Sequence, residues 1–126
     1  LKSSNSKNLE GKILIDITNP LDFSKGMPPT LFVSNTESLA EQIQATFPTL
    51  KVVKTLNTMS NPVMVNPSLV PGNHTVFMSG NDTVAKNTVR QLLQSFGWAD
   101  INIMDLGDIS TARGTEMILP LWLRVG

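Results

Sequence analysis

The fold is decided by Lys51-Val-Val-Lys-Thr-Leu-Asn-Thr58. Val52, Val53 and Leu56 give this stretch the β-branched and apolar bulk of a short buried strand. Asn57 and Thr58 close it with a side-chain amide and a hydroxyl. An earlier stretch, Ile13-Leu-Ile-Asp-Ile-Thr-Asn19-Pro20, has the same form. Each run carries a charged residue three places before its terminal asparagine: Asp16 before Asn19, and Lys54 before Asn57. As parallel neighbours in register, the strands would set Asp16 and Lys54 about 5 Å apart. Asn19 and Asn57 would then lie side by side at the carboxyl edge of the sheet, where open α/β sheets bind ligands.

Between these strands, Pro20 ends the first, and Leu21–Thr30, with Gly26, Pro28 and Pro29, reads as a loop. Leu31–Val33 is a candidate short extended piece. Ser34-Asn-Thr-Glu37 fits a capping box and predicts a helix to about Phe47, with Leu39, Ile43 and Phe47 on its apolar stripe. Pro48 stops it. Beyond Thr58, Pro62, Pro67 and Pro71 allow no more than one short helical turn. A third strand is expected over His74–Ser79, and a helix over about Thr83–Phe96, capped by Asn81 or Asp82. Ala85, Val89, Leu92, Leu93 and Phe96 would form its buried face, and Gly97 its left-handed stop. A fourth strand follows over Ile101–Leu106. Asp108 or Ser110 starts a last, strongly apolar helix that Pro120 should kink. Alternating strands and helices predict an α/β domain, an incomplete Rossmann-like unit with a mostly parallel sheet of about four strands. The third strand's direction is open, because no clear crossover helix leads into it. Residues 1–10, rich in Ser, Asn and Lys, read as a flexible lead-in to one domain over 11–126.

Composition narrows the functions. Ten basic and ten acidic residues cancel without a basic stripe, which argues against nucleic acid as the main partner. There is no apolar run near the length of a membrane span and no signal peptide, so a cytoplasmic protein without membrane contact is expected. Zero Cys removes thiolate chemistry, and a single His argues against a His-based metal site. No Ser/His/Asp set, Cys/His pair or close carboxylate dyad stands out, so no catalytic acid, base or nucleophile is assigned.

Four motifs occur in one order: Asp16-Ile-Thr-Asn-Pro-Leu21, Val52-Val-Lys-Thr-Leu-Asn-Thr58, Gly80-Asn-Asp with Ala85-Lys86, and Asp105-Leu-Gly-Asp with Ala112-Arg113 and Glu116. Together they resemble the NADP oxidoreductases that use a deazaflavin, coenzyme F420, and the related nucleotide-binding domain of six-helix membrane metalloreductases. The likeness runs from Leu9 onward. It implies hydride transfer between NADP(H) and a deazaflavin, flavin or similar acceptor. It further implies that Asn19 and Pro20 wall the nicotinamide ribose, that Asn57 and Thr58 lie near both rings, and that Asn61 touches the deazaflavin through its backbone.

One departure is prominent. The family begins with a Gly-rich turn leading into a helix, which holds the pyrophosphate; no GxGxxG fingerprint occurs here. The chain therefore resembles the C-terminal portion of such an enzyme, and alone it is expected to bind dinucleotide weakly. The bare outer edge of Lys12–Thr18 would invite self-association or a complementary N-terminal segment. The competing reading is a non-catalytic α/β binding or interaction module. Asp16 and Lys54 read as a structural ion pair, His74 as exposed, and Arg113 with Glu116 as an intrahelical pair. Trp98, Trp122 and the six Met read as packing.

Overall fold

A computed structural model describes residues 10–24, 30–59, 61–118 and 120. The expected lead-in, apart from Glu10, and the apolar positions Leu119, Leu121 and Trp122 lie outside the described residues. Four strands form the main sheet: β1 (Ile13–Asp16), β4 (Lys51–Thr55), β5 (Val76–Gly80) and β6 (Ile103–Gly107), in the order β1-β4-β5-β6. Two short strands, β2 (Leu21–Asp22) within the expected loop and β3 (Thr30–Leu31) where that loop meets the expected extended piece, make a separate antiparallel pair. Helices α1 (Leu39–Thr46), α2 (Asn61–Val65), α3 (Thr83–Ser95) and α4 (Ala112–Met117) complete the elements, with 3-10 turns at Pro67–Leu69, Asp100–Asn102 and Ile109–Thr111.

The sheet is mostly parallel, and its exception has a simple cause. β1 with β4, and β5 with β6, are parallel pairs. Each is joined through a helix long enough to cross back over the sheet, α1 or α3. β4 and β5 are antiparallel. The proline-broken stretch between them supplies only the five-residue α2 and a 3-10 turn, so the chain returns on itself instead of crossing over.

Strand alternation sorts the interior into two layers. Val53, Val76, Met78 and Ile103 face Ala85, Val89 and Leu93 of α3, with Trp98 beside them. Val52 and Leu14 face the opposite way, toward Ala40 and Ile43 of α1 and toward Ile109 and Ala112 at the start of α4. Each fully buried Val or Leu contributes about 1.5–3 kcal/mol relative to exposure. Leu92 departs from the expected face of α3 and is 39% exposed. Ile101 is 91% exposed, since the fourth strand starts two residues later than expected, after a 3-10 turn.

Caps mark the helix boundaries. The Asp82 carboxylate accepts from the Ala85 N–H, and Gly97 takes φ +109° after α3. The capping box of α1 lies one turn later than expected, at Ser38 and Glu41: the Ser38 hydroxyl accepts from the Glu41 N–H and donates to its carboxylate. Ser34 offered the same spacing, but Asn35 adopts φ +67°, which keeps that turn out of the helix. Gly80 permits the close approach of β5 to β4, since a Cβ there would lie 2.9 Å from the Val52 carbonyl oxygen.

Candidate functional site at the carboxyl edge of β1 and β4

The register pairs Asp16 with Lys54, as the spacing of the two runs predicts. By alternation Lys54 emerges on the face of Val52, beneath α1 and α4, and its side chain is fully buried. Its ammonium meets Asp16 Oδ2 at 3.1 Å, Glu116 Oε1 at 2.9 Å and the Thr18 carbonyl. All three of its N–H donors therefore have acceptors.

Glu116 is the residue that the sequence reading misplaced. An intrahelical pair with Arg113 was expected. Instead, Arg113 leaves the helix face and forms a forked pair with Glu41 of α1, at 3.0 and 2.8 Å. The Arg113 hydrogen bonds hold the Glu41 carboxyl below its ordinary range. Glu116 points inward, fully buried, and takes the Leu39 N–H at 2.8 Å and the Ala40 N–H at 3.1 Å. Its carboxylate thus satisfies two free donors at the start of α1 and sits in the favourable field of that helix end. A signal was available: Ile109, Ala112 and Glu116 recur at three- and four-residue spacing, which places Glu116 on the apolar face.

Above this ionic layer lies a layer of amides. Leu56 adopts φ +63°, an uncommon conformation for a branched residue, which turns the chain sharply after β4. Asn57 follows, 3% exposed. Its Nδ2 donates to Asn19 Oδ1 at 3.1 Å and to the Thr115 carbonyl at 3.0 Å, while Asn19 Nδ2 donates to the Asn57 carbonyl at 3.1 Å. The two asparagines are therefore neighbours at the sheet edge and are locked together. Pro20 is fully buried behind Asn19. Thr58 is half-buried and lines a cavity of about 270 Å3 with Met59, Val63, Val70, His74 and Trp98. Asn61 opens α2.

His74 is half-buried rather than exposed. Its Nε2 lies 2.9 Å from the Pro67 carbonyl and 3.2 Å from that of Val70, and its ring meets Trp98 edge-on at 5.1 Å. A larger cavity, about 380 Å3, lies at the opposite end of β4 against Gln44, Lys51 and Asp82. Gln44 there is committed to the backbone of Phe47, Leu50 and Val52. Among the described residues, no group of His, Cys, Asp or Glu could hold a metal ion, and no helix is long and apolar enough to cross a membrane.

No family model matches the sequence. The chain is 31% identical over 119 residues to the metalloreductase STEAP3 of Rattus norvegicus, a match covering 90% of this chain and 22% of that protein. Among solved structures, it is similar to a protein of Arthrobacter sp. FB24 provisionally assigned as an F420-dependent NADP reductase. That match has 58% identity and a TM-score of 0.93 over 98% of this chain and 56% of the other. A hypothetical protein of Sinorhizobium meliloti, SMa0349, matches at 28% identity and a TM-score of 0.62, over 82% of this chain and 48% of its own. The chain thus spans about a fifth of the metalloreductase and about half of each solved structure. On sequence and fold together, the chain is similar to about half of the Arthrobacter protein provisionally assigned as an F420-dependent NADP reductase and to a smaller part of the metalloreductase.

Proposed function

We propose that this chain forms the nicotinamide-facing part of an NADP-dependent oxidoreductase that transfers hydride between NADP(H) and a deazaflavin, flavin or similar acceptor. The observation that supports the reading best is the locked pair Asn19–Asn57 at the carboxyl edge of the parallel pair β1–β4. Asn19 and Pro20 would border the ribose, with Asn57, Thr58 and the Asn61 backbone toward the rings. These groups fit a neutral nicotinamide end: the side chains of Asn19, Asn57 and Thr58 carry no charge, and both Asn57 amide protons are held by Asn19 and Thr115, which fixes the edge. When bound, NADPH would supply the hydride and NADP+ would accept it. The residues of this chain have only to orient the rings and keep water away.

The sequence carries no glycine-rich turn for the pyrophosphate, so the proposal assigns that cradle to a complementary segment or a second copy. The outer edge of β1, which has no strand partner among the described residues, is the surface proposed for that association. The test is a fluorescence titration with NADPH of the chain and of Asn57→Leu. Removing the amide that ties Asn19 to the Thr115 carbonyl should loosen this edge and weaken binding by about tenfold, the worth of one hydrogen bond at the upper end of its usual range. Equal affinity for both proteins, with both folded, would reject this placement of the nicotinamide.

A further inference from the structure

The ionic layer and the amide layer are built from the same three segments. Asp16 leads through Thr18 to Asn19: its Oδ1 accepts from the Thr18 N–H at 2.9 Å and from the Thr18 hydroxyl at 2.6 Å. Lys54 lies three residues before Asn57. Glu116 directly follows Thr115, whose carbonyl accepts from Asn57. Each member of the buried triad therefore anchors one member of the chain Asn19–Asn57–Thr115.

We propose that Glu116 is a positioning residue for Asn57. Its carboxylate fixes α4 against Lys54 and the start of α1, and so sets where the Thr115 carbonyl meets the Asn57 amide. A fully buried ion cluster is weak evidence for stability, because apolar residues of similar volume often serve as well or better. This cluster is nevertheless fully satisfied: both Glu116 oxygens, both Asp16 oxygens and the Lys54 ammonium have partners. A satisfied buried network fixes geometry, since few other arrangements satisfy every member. The Leu56 turn adds to the need for such fixing. A branched residue at positive φ is held only when its surroundings over-determine it. Here the Asn57 bonds to Asn19 and Thr115 lie immediately beyond that turn.

The consequence for ligand binding rests on the reading of Asn57 as facing the nicotinamide; the positioning itself does not. The test is therefore made without ligand, by NMR on the 15N-labelled chain. Solvent exchange of the Asn57 Nδ2 protons is compared between the parent and Glu116→Gln. Exchange should be about tenfold faster in the variant, the loss of up to one hydrogen bond, while amides of β5 and β6 keep their parent protection. A purely structural staple would change protection across the domain or nowhere. Unchanged Asn57 exchange in a folded variant would overturn the proposal. If Glu116→Gln does not fold, Lys54→Arg, which keeps the charge but moves it, is read by the same criterion. If positioning is found but NADPH binding does not respond to it, the functional reading fails while the positioning role stands.

Discussion

Replacing Lys54 by methionine removes the cation around which the buried layer is organised. The side chain is fully buried, as are its partners Asp16 and Glu116. Methionine fills much of the same volume, so packing is largely retained and the effect is mainly electrostatic. Two carboxylates would remain in the interior, and the Thr18 carbonyl would lose its donor. Breaking a buried ion pair from one side costs about 3–5 kcal/mol. A domain of this kind has about 5–15 kcal/mol in total. With a urea slope of about 2 kcal/mol per M, a loss of about 4 kcal/mol lowers the unfolding midpoint by about 2 M. The assay is urea denaturation followed by far-UV circular dichroism. The triple variant Asp16→Asn, Lys54→Met, Glu116→Gln leaves no unpaired charge and should recover a large part of the loss, a non-additivity expected of residues in one network. A Lys54→Met midpoint within about 0.3 M of the parent would refute the reasoning, because it would mean that the three charges do not share a dry site.

Three further outcomes are expected. Gly80→Ala should destabilise by about 1–3 kcal/mol, because the new Cβ would lie 2.9 Å from the Val52 carbonyl oxygen; a thermal melt checks this. Trp98→Phe should cost about 1 kcal/mol, since the indole N–H that donates to the Met64 carbonyl at 3.0 Å is lost from a buried position, and urea denaturation reads it. Arg113→Met should remove a pH-dependent contribution. The Glu41 carboxyl is depressed in the folded state, first by its Arg113 hydrogen bonds, so its stabilisation is present above the unfolded carboxylate range and lost as pH falls through the folded value. The urea midpoints of parent and Arg113→Met should therefore differ at neutral pH and converge on acidification.

Much of the site was legible because it is written twice in the chain. A charge three residues before an asparagine occurs in both strands, and parallel register turns that repeat into two contacts, Asp16 with Lys54 and Asn19 with Asn57. Local grammar also placed Asp82, Gly97 and the short helical turn after the second strand. What was misread depends on contacts between distant segments. Glu116 and Arg113 are four-residue neighbours of the kind that pair along a helix, yet each finds a partner more than sixty residues away. Nothing within α4 reveals that α1 presents two unsatisfied N–H groups and an acidic side chain there. The direction of β5 was open for a similar reason: it depends on whether a proline-broken linker can cross the sheet, and this one turns back. His74 was misread because its partners are carbonyls of a 3-10 turn, which no spacing rule predicts.

The most direct measurement is an NMR titration of the 15N-labelled chain with reduced nicotinamide mononucleotide, which carries the nicotinamide and ribose without the adenylate half. If the asparagine edge receives the nicotinamide, the largest shift changes fall on the side chains of Asn19 and Asn57 and on the backbone amides of Thr58 and Asn61. Changes confined to the cavity at the other end of β4, or no saturable change at any residue, would contradict it.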